Sequence, residues 1–227
     1  MGVLLLRPGR RPMFPPLDQL RPGDNGLVGL GGDLRPETVI EAYSKGIFPW
    51  DGRQPIPWYS PDPRMVLPPA ELKVSRSLGK LARQGHLRVT LDTAFTQVMQ
   101  CCAATPRPGQ PGTWITPSMI ATYTALHERG IAHSVEVWEA GALVGGLYGL
   151  AMGATFFGES MFHTRRDASK LALLHLCRQL EGWGFDLIDC QQETPHLTSL
   201  GATPITRAQF TARLRASLAG PGRWGGC

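Results

Sequence analysis

From Ala140 to Gly158 the chain carries no charged side chain, over a stretch about long enough to span a bilayer. The same stretch is interrupted by Gly141, Gly145, Gly146, Gly149, Gly153 and Gly158, and it continues the alternation of "HSVEVW" just before it. Alternation with period two, broken by glycine turns, reads as sheet, because successive side chains of a strand face opposite sides. "HSVEVW", "ALVGGLYGLAM" and "ATFFGES" therefore predict three consecutive antiparallel strands, and no membrane span. After them Asp167 is placed to cap a long helix carrying Leu171, Leu174 and Leu180 and ending at Gly184, and "FDLIDCQ" predicts a further strand.

Strands, a helix, then a strand is the core order of the GNAT acyltransferase fold, a correspondence of order alone. The expected class is α+β (mixed α/β): a small N-terminal domain over residues 1–63, then a GNAT-like acyltransferase domain over 64–227 with a mostly antiparallel sheet flanked by helices. The first part is dense in Pro and Gly and has one clear helix, Pro36 to Lys45, with Pro at its first position and Gly46 past its end. The proline-stiffened "PIPWYSPDPR" marks the boundary. Beyond it, Asp92 is expected to cap a helix with the stripe Phe95, Val98, Met99 and Cys102. Thr116 and Pro117 open another that runs through Ile120 and Tyr123 to Gly130, and the last helix starts with the capping-box pair Thr206 and Gln209.

The net charge of +5 lies almost wholly in arginine, the lysines being Lys45, Lys73, Lys80 and Lys170. Guanidinium forks suit phosphate, so a nucleic-acid partner is allowed without being required. Five cysteines without a C-x-x-C argue against a disulfide framework and for a reducing compartment. The six histidines do not approach metal-ligand spacing, so no metal is expected. "MGVLLLRPGRRP" has too short an apolar run for a signal peptide.

The end of "FDLIDCQQ" leaves three readings open: a solvated strand end, a nucleophile at Cys190, or a pair formed by Asp189 and Gln191 with Cys190 a bystander. Strict alternation puts Asp189 and Gln191 on one face and Cys190 with Ile188 on the other. No histidine stands at an interpretable distance to activate the thiol. In "MFHTRRDASKLA", Arg165, Ala168 and Lys170 stand where a CoA-binding turn wants arginine, glycine and a small residue, which makes a poor pyrophosphate cradle. Arg76, Lys80 and Arg83, spaced by four and three, share one helical face that is either merely solvated or phosphate-contacting. Trp50 and Trp114 sit in Pro/Gly/Thr loops with no apolar stripe to belong to.

Seven motifs occur in one order: "NGLVGLGGDL", "YSKGIFPW", "WYSPDPR", "GTWIT", "FGESMF", "LIDCQ" and "HLTSLGA". On these, from about residue 24 to 210, the chain resembles the leucyl/phenylalanyl-tRNA protein transferase family. The resemblance implies a cytoplasmic aminoacyltransferase that moves Leu, Phe or sometimes Met from its tRNA onto a protein N-terminal Arg or Lys, creating a degradation signal. It implies that Asp189 and Gln191 are catalytic, the Gln191 carbonyl accepting from the attacking amine while Asp189 holds and polarises the amide. Glu159, with Ser160, would bind the acceptor's cation. Tyr43, Trp50, Trp114, Leu147, Phe156, Leu173 and Leu176 would line the aminoacyl pocket, the N-terminal domain contributing to it. Arg76, Lys80 and Arg83 would contact the acceptor 3′ end of the tRNA.

An aminoacyl ester is already activated, so no cofactor, metal, ATP or CoA is required, and a monomer is expected. Two features depart from the family pattern. Thr194 replaces the usual asparagine after "DCQ", and the tail "LAGPGRWGGC" lacks the usual closing segment. The competing readings are a GNAT-like N-acyltransferase with another acyl or aminoacyl-tRNA donor, disfavoured by the poor CoA turn, and a non-catalytic RNA-binding module.

Overall fold

The computed structural model describes residues 3–10, 14–20, 25–106 and 112–226; Cys227, one of the thiols counted above, lies outside them. Strands β1 (Leu4–Leu6) and β2 (Leu27–Gly31) lead into helix α1 (Pro36–Ser44), followed by the short strands β3 (Phe48–Pro49) and β4 (Pro57–Tyr59). These strands form a four-stranded sheet in the order β1-β2-β4-β3. Pro36 opens α1, where its missing N–H costs nothing, and Gly46 follows with φ of 74°. A side chain at Gly46 would meet the Phe210 ring at 2.9 Å, so the turn needs glycine for contact as well as for conformation.

The larger sheet begins with β5 (Arg64–Leu67). Then come α2 (Arg76–Gln84), β6 (Arg88–Leu91), α3 (Phe95–Ala104), α4 (Pro117–Glu128), β7 (Ala132–Glu139), β8 (Ala142–Met152), β9 (Thr155–His163) and α5 (Ala168–Gly182). β10 (Leu187–Gln191), α6 (Pro195–Ser199), β11 (Thr203–Ile205) and α7 (Arg207–Leu218) complete it. The seven strands run in the order β11-β5-β10-β9-β8-β7-β6. All neighbours are antiparallel except β9 and β10, which are parallel and joined through α5. This is the mixed α/β, mostly antiparallel arrangement expected of a GNAT-like domain, and the three strands read from period-two alternation are β7, β8 and β9.

Buried side chains fall into two clusters on opposite sides of the large sheet. One gathers Tyr43, Phe48, Tyr123, Tyr148, Phe157 and Phe210; the other gathers Leu147, Phe156, Leu173, Leu176 and Ile188. Phe156 and Phe157 fall to different clusters because neighbours on a strand face opposite ways. Among the described residues no helix is long and apolar enough to cross a membrane.

Two of the expected caps follow the sequence reading. Thr116 Oγ1 accepts from Met119 N at 3.3 Å, and Thr206 and Gln209 make both halves of the capping box. Asp92 does not cap. At φ of 57° its carboxylate turns away to accept from Ser134 N (2.8 Å), His133 Nδ1 (2.9 Å) and Trp224 Nε1 (3.1 Å), and α3 starts at Ala94 without a side-chain cap. Asp167 precedes α5 at φ of 63°, yet its carboxylate pairs with Lys170 at 2.9 Å instead of an amide, and the helix ends at Gly182.

Candidate active site

The parallel ladder between β9 and β10 pairs Leu187 with Thr155, Ile188 with Phe156 and Asp189 with Phe157, then stops while β9 runs on to His163. The strands part at Asp189. Gly158 to Ser160 and Cys190 to Gln192 border the gap, which is where unpaired backbone and polar side chains can meet ligands.

On β10 the antiparallel register with β5 slips between Asp189 and Gln191, so Cys190 is the extra residue of a bulge, and Gln191 has φ of 65°. The alternation expected from sequence therefore fails at its last step. Cys190 does join the Ile188 side, but Gln191 lines the same two cavities as Cys190, and Asp189 lines neither.

Asp189 is fully buried and held by Arg64, itself buried: Nε to Oδ1 at 2.8 Å and Nη2 to Oδ2 at 2.6 Å. The third contact of the carboxylate is the Gln191 backbone N–H, at 2.9 Å. Arg64 also donates to Gly46 O at 3.1 Å, and its guanidinium carbon lies 4.8 and 4.5 Å from the ring centroids of Phe48 and Phe210. The Gln191 amide goes elsewhere. Its Nε2 donates to Glu159 Oε1 at 2.9 Å, so the amide is held by Glu159, and Asp189 acts on the main chain of Gln191.

Glu159 lies within β9 among polar groups. Tyr43 donates to its Oε1 at 2.7 Å, Tyr123 approaches its Oε2 at 3.5 Å, and the two phenols are 2.8 Å apart. Burial pushes the Glu159 carboxyl up to about 7, and the Asp189 charge adds to this against the hydrogen bonds from Tyr43, Gln191 and Tyr123, which lower it. Burial, then the nearby Glu159 charge, holds the Tyr43 phenol well above its usual range.

A cavity of about 210 Å³ is walled by Leu147, Phe156, Leu173, Leu176 and Ile188, and reaches Glu159, Ser160 and Gln191. A second, of about 250 Å³, is framed by Trp50 and Trp114 and bounded by the same Glu159, Cys190, Gln191, Thr194 and Leu197. The structure thus splits the seven residues expected of one pocket. Four line the apolar cavity, two frame the other, and Tyr43 lines neither, standing behind Glu159 as a hydrogen-bond donor. Thr194 borders both cavities and caps α6 through Leu197 N at 3.2 Å. The Cys190 thiol is pushed far up, by burial first and then by the Asp189 charge, which leaves it protonated and a poor nucleophile.

Arg76, Lys80 and Arg83 are all exposed on α2, away from both cavities' linings and, among the described residues, without an ion-pair partner. Arg64 was not singled out from sequence, and Tyr123 was read only as a helix residue. Arg64 had a signal, a lone charge opening the apolar strand "RMVL", since a charge there needs an opposite partner. Tyr123 had none, because its hydroxyl contacts reach Tyr43 on α1 and Glu159 on β9, both far away in sequence.

Asp92, His127 and His133 bring ligand atoms within 4.8 Å of one another, which sequence spacing did not reveal. Within this group His133 faces Asp92 with Nδ1 and Gly130 O, at 3.2 Å, with Nε2, and His127 Nδ1 lies 2.9 Å from Ala132 O.

The large sheet thus parts over Asp189 and the Gln191 amide, and two cavities border that amide. The family model described as leucyl/phenylalanyl-tRNA protein transferase matches residues 66–215, and the model of its N-terminal domain matches 32–62. The chain belongs to the leucyl/phenylalanyl-tRNA protein transferase family. It is 58% identical to the transferase of that name from Nitrosomonas europaea, over 92% of this chain and 89% of that one. It is 52% identical to the one from Nitratidesulfovibrio vulgaris, over 97% and 95%. Among solved structures, a GCN5-related N-acetyltransferase from Kribbella flavida is similar with a TM-score of 0.39 at 14% identity, covering 72% of this chain and 58% of that one.

Proposed function

We propose that this protein transfers Leu, Phe or Met from aminoacyl-tRNA to the N-terminal Arg or Lys of acceptor proteins in the cytoplasm, acting as a monomer and marking its products for degradation. The observation that carries the reading is the Gln191 amide, which borders both cavities with its N–H end tied to Glu159. Its carbonyl end is left to accept from an incoming amine.

In this reading residues 64–227 form the acyltransferase domain, and residues 1–63 form a small domain that supplies Tyr43 and Trp50. The apolar cavity takes the donor's side chain: a long apolar chain gains more there than a small one, and a charged one pays desolvation. The Trp50 and Trp114 side takes the rest of the ester and its terminal nucleoside, since indole faces suit a flat base. The acceptor's cation meets Glu159 and Ser160. Glu159 then gains a charged partner and ionises fully, which explains why Arg and Lys both serve.

The acceptor amine, having lost its proton to water, donates a hydrogen bond to the Gln191 carbonyl and attacks the ester carbon. The C–N bond forms, the ester C–O bond breaks, and the amine's second proton leaves with the ribose oxygen. A carboxamide is no base, so Gln191 orients the nucleophile, and the gain is positional. Asp189 fixes the Gln191 backbone, and Arg64 fixes Asp189. Arg76, Lys80 and Arg83 hold tRNA phosphates without reading sequence.

The test is label transfer from Leu-tRNA, Phe-tRNA or acetyl-CoA to a peptide starting with Arg. Transfer from the two tRNA donors and none from acetyl-CoA is expected. Transfer from acetyl-CoA alone would replace this reading with that of an ordinary N-acetyltransferase.

A further inference from the structure

As far as Gly226, the tail that departs from the family pattern, "LAGPGRWGGC", folds back onto the large sheet. The Trp224 ring stacks on His133 at 3.8 Å between centroids and 17° between planes. It lies 5.9 Å from Phe156 at 23°, and Trp183 meets it edge-on at 5.0 Å. Two hydrogen bonds fix the segment: Trp224 Nε1 to Asp92 Oδ2 at 3.1 Å, and Arg223 Nη1 to Gly184 O at 2.8 Å. The platform beneath is rigid for its own reasons. His133 is buried, with one ring nitrogen facing Asp92 and the other facing Gly130 O.

Phe156 connects this platform to the apolar cavity. Its ring leans over Gly149, where a Cβ would come within 2.6 Å of it, and Gly149 is paired with His133 across β7 and β8. Phe156 is thus packed against Trp224 while it lines the cavity with Leu147, Leu173 and Leu176. Asp92, His133 and Trp224 have no part in the transfer step described above, yet they are the groups stacked behind that wall.

We propose that Trp224 is a positioning residue which fixes the Phe156 wall of the apolar cavity and so sets selectivity among apolar donor side chains. The inference rests on the reading that this cavity receives the donor's side chain. A pocket distinguishes side chains by the volume its walls refuse, and a wall free to move refuses less. Removing Trp224 opens space behind the Phe156 ring, and the bulkier donor gains.

The experiment compares kcat/KM for leucyl-adenosine and phenylalanyl-adenosine with one Arg-starting peptide, in the parent protein and in Trp224→Ala, Trp224→Phe and Phe156→Leu. Trp224→Ala is expected to shift the ratio towards phenylalanyl by about tenfold, the low end of what one methylene of pocket volume decides, mainly through KM. Trp224→Phe, which keeps a ring but not the N–H, is expected to restore most of the parent ratio. An unchanged ratio in Trp224→Ala alongside a changed one in Phe156→Leu overturns the proposal and leaves the cavity assignment standing. Unchanged ratios in both overturn the cavity assignment too. If Trp224→Ala does not fold, Trp224→Leu, which keeps bulk but no ring, carries the same comparison.

Discussion

Asp189 and Arg64, separated by 125 positions in the chain, meet in a buried two-pronged ion pair that takes up both carboxylate oxygens. An acid so engaged is in no position to receive a proton from the reacting amine. Its contribution is to fix a strand end, and the group that touches the Gln191 amide is Glu159.

Asp189→Asn is expected to harm stability as well as turnover, because it leaves the Arg64 charge buried without its anion, at a cost of about 3–5 kcal/mol. Urea unfolding checks this. Adding Arg64→Met should recover most of the stability and little of the activity. An Asp189→Asn protein as stable as its parent would show that the pair does not hold the strand.

Gln191→Ala should lower the turnover number by about a hundredfold or more, the scale for losing a positioned polar group at a reacting centre, in a protein that melts as the parent does. Cys190→Ala should be mild. Loss of all activity in a folded Cys190→Ala protein would return the thiol to the mechanism.

Glu159 gives a pH signature with a defined sign. Its carboxyl is raised from 4.5 to about 7, so the folded state holds the proton more tightly than the unfolded one. The stability this confers is complete below the unfolded value and disappears as pH rises through about 7. Glu159→Gln should lack that decline. In the parent, affinity for a desamino-Arg peptide, which keeps the guanidinium but has no α-amine, should rise across the same window as the carboxylate ionises. Calorimetric titration showing flat affinity through that window would remove Glu159 from acceptor binding.

The basic face of α2 is tested by salt. Removing one cation that pairs with a phosphate should flatten the line of log affinity against log salt by roughly 0.7 to 0.9 of a unit, so alanine at Arg76, Lys80 and Arg83 should flatten it by about two units for Phe-tRNA and Leu-tRNA alike. Transfer from an aminoacyl-adenosine should be untouched. A parent-like slope would move the RNA surface elsewhere, with Arg166, almost fully exposed and 3.7 Å from Asp167, a better second choice than Arg165, which is closely paired to Glu139.

Local pattern made much of the fold legible. Alternation in "HSVEVW" and its successors gave β7 to β9, and Thr116, Pro117 and Thr206 marked helix starts, because each rests on neighbours in sequence. Asp92 misled for the opposite reason: donors from β7 and from the tail, none of them local, outbid the helix for its carboxylate. At the site, residue types were readable but partners were not. Nothing in "DCQ" signals a bulge, and a glutamine with φ of 65° carries no mark of its conformation. Tyr43 read as an apolar wall because its ring is one; its hydroxyl meets Glu159 of β9 and Tyr123 of α4 only once the chain is packed.

The bulge on β10 gives Cys190 a part that its chemistry hides. With strict alternation, the amide of Gln191 would fall beside Asp189, in the closed interior among Arg64, Phe48 and Phe210. One residue of surplus length turns it out to where two cavities meet. In "DCQ" the middle letter is therefore a spacer: what the site requires at that position is a length of main chain, and the sulfur is incidental to it.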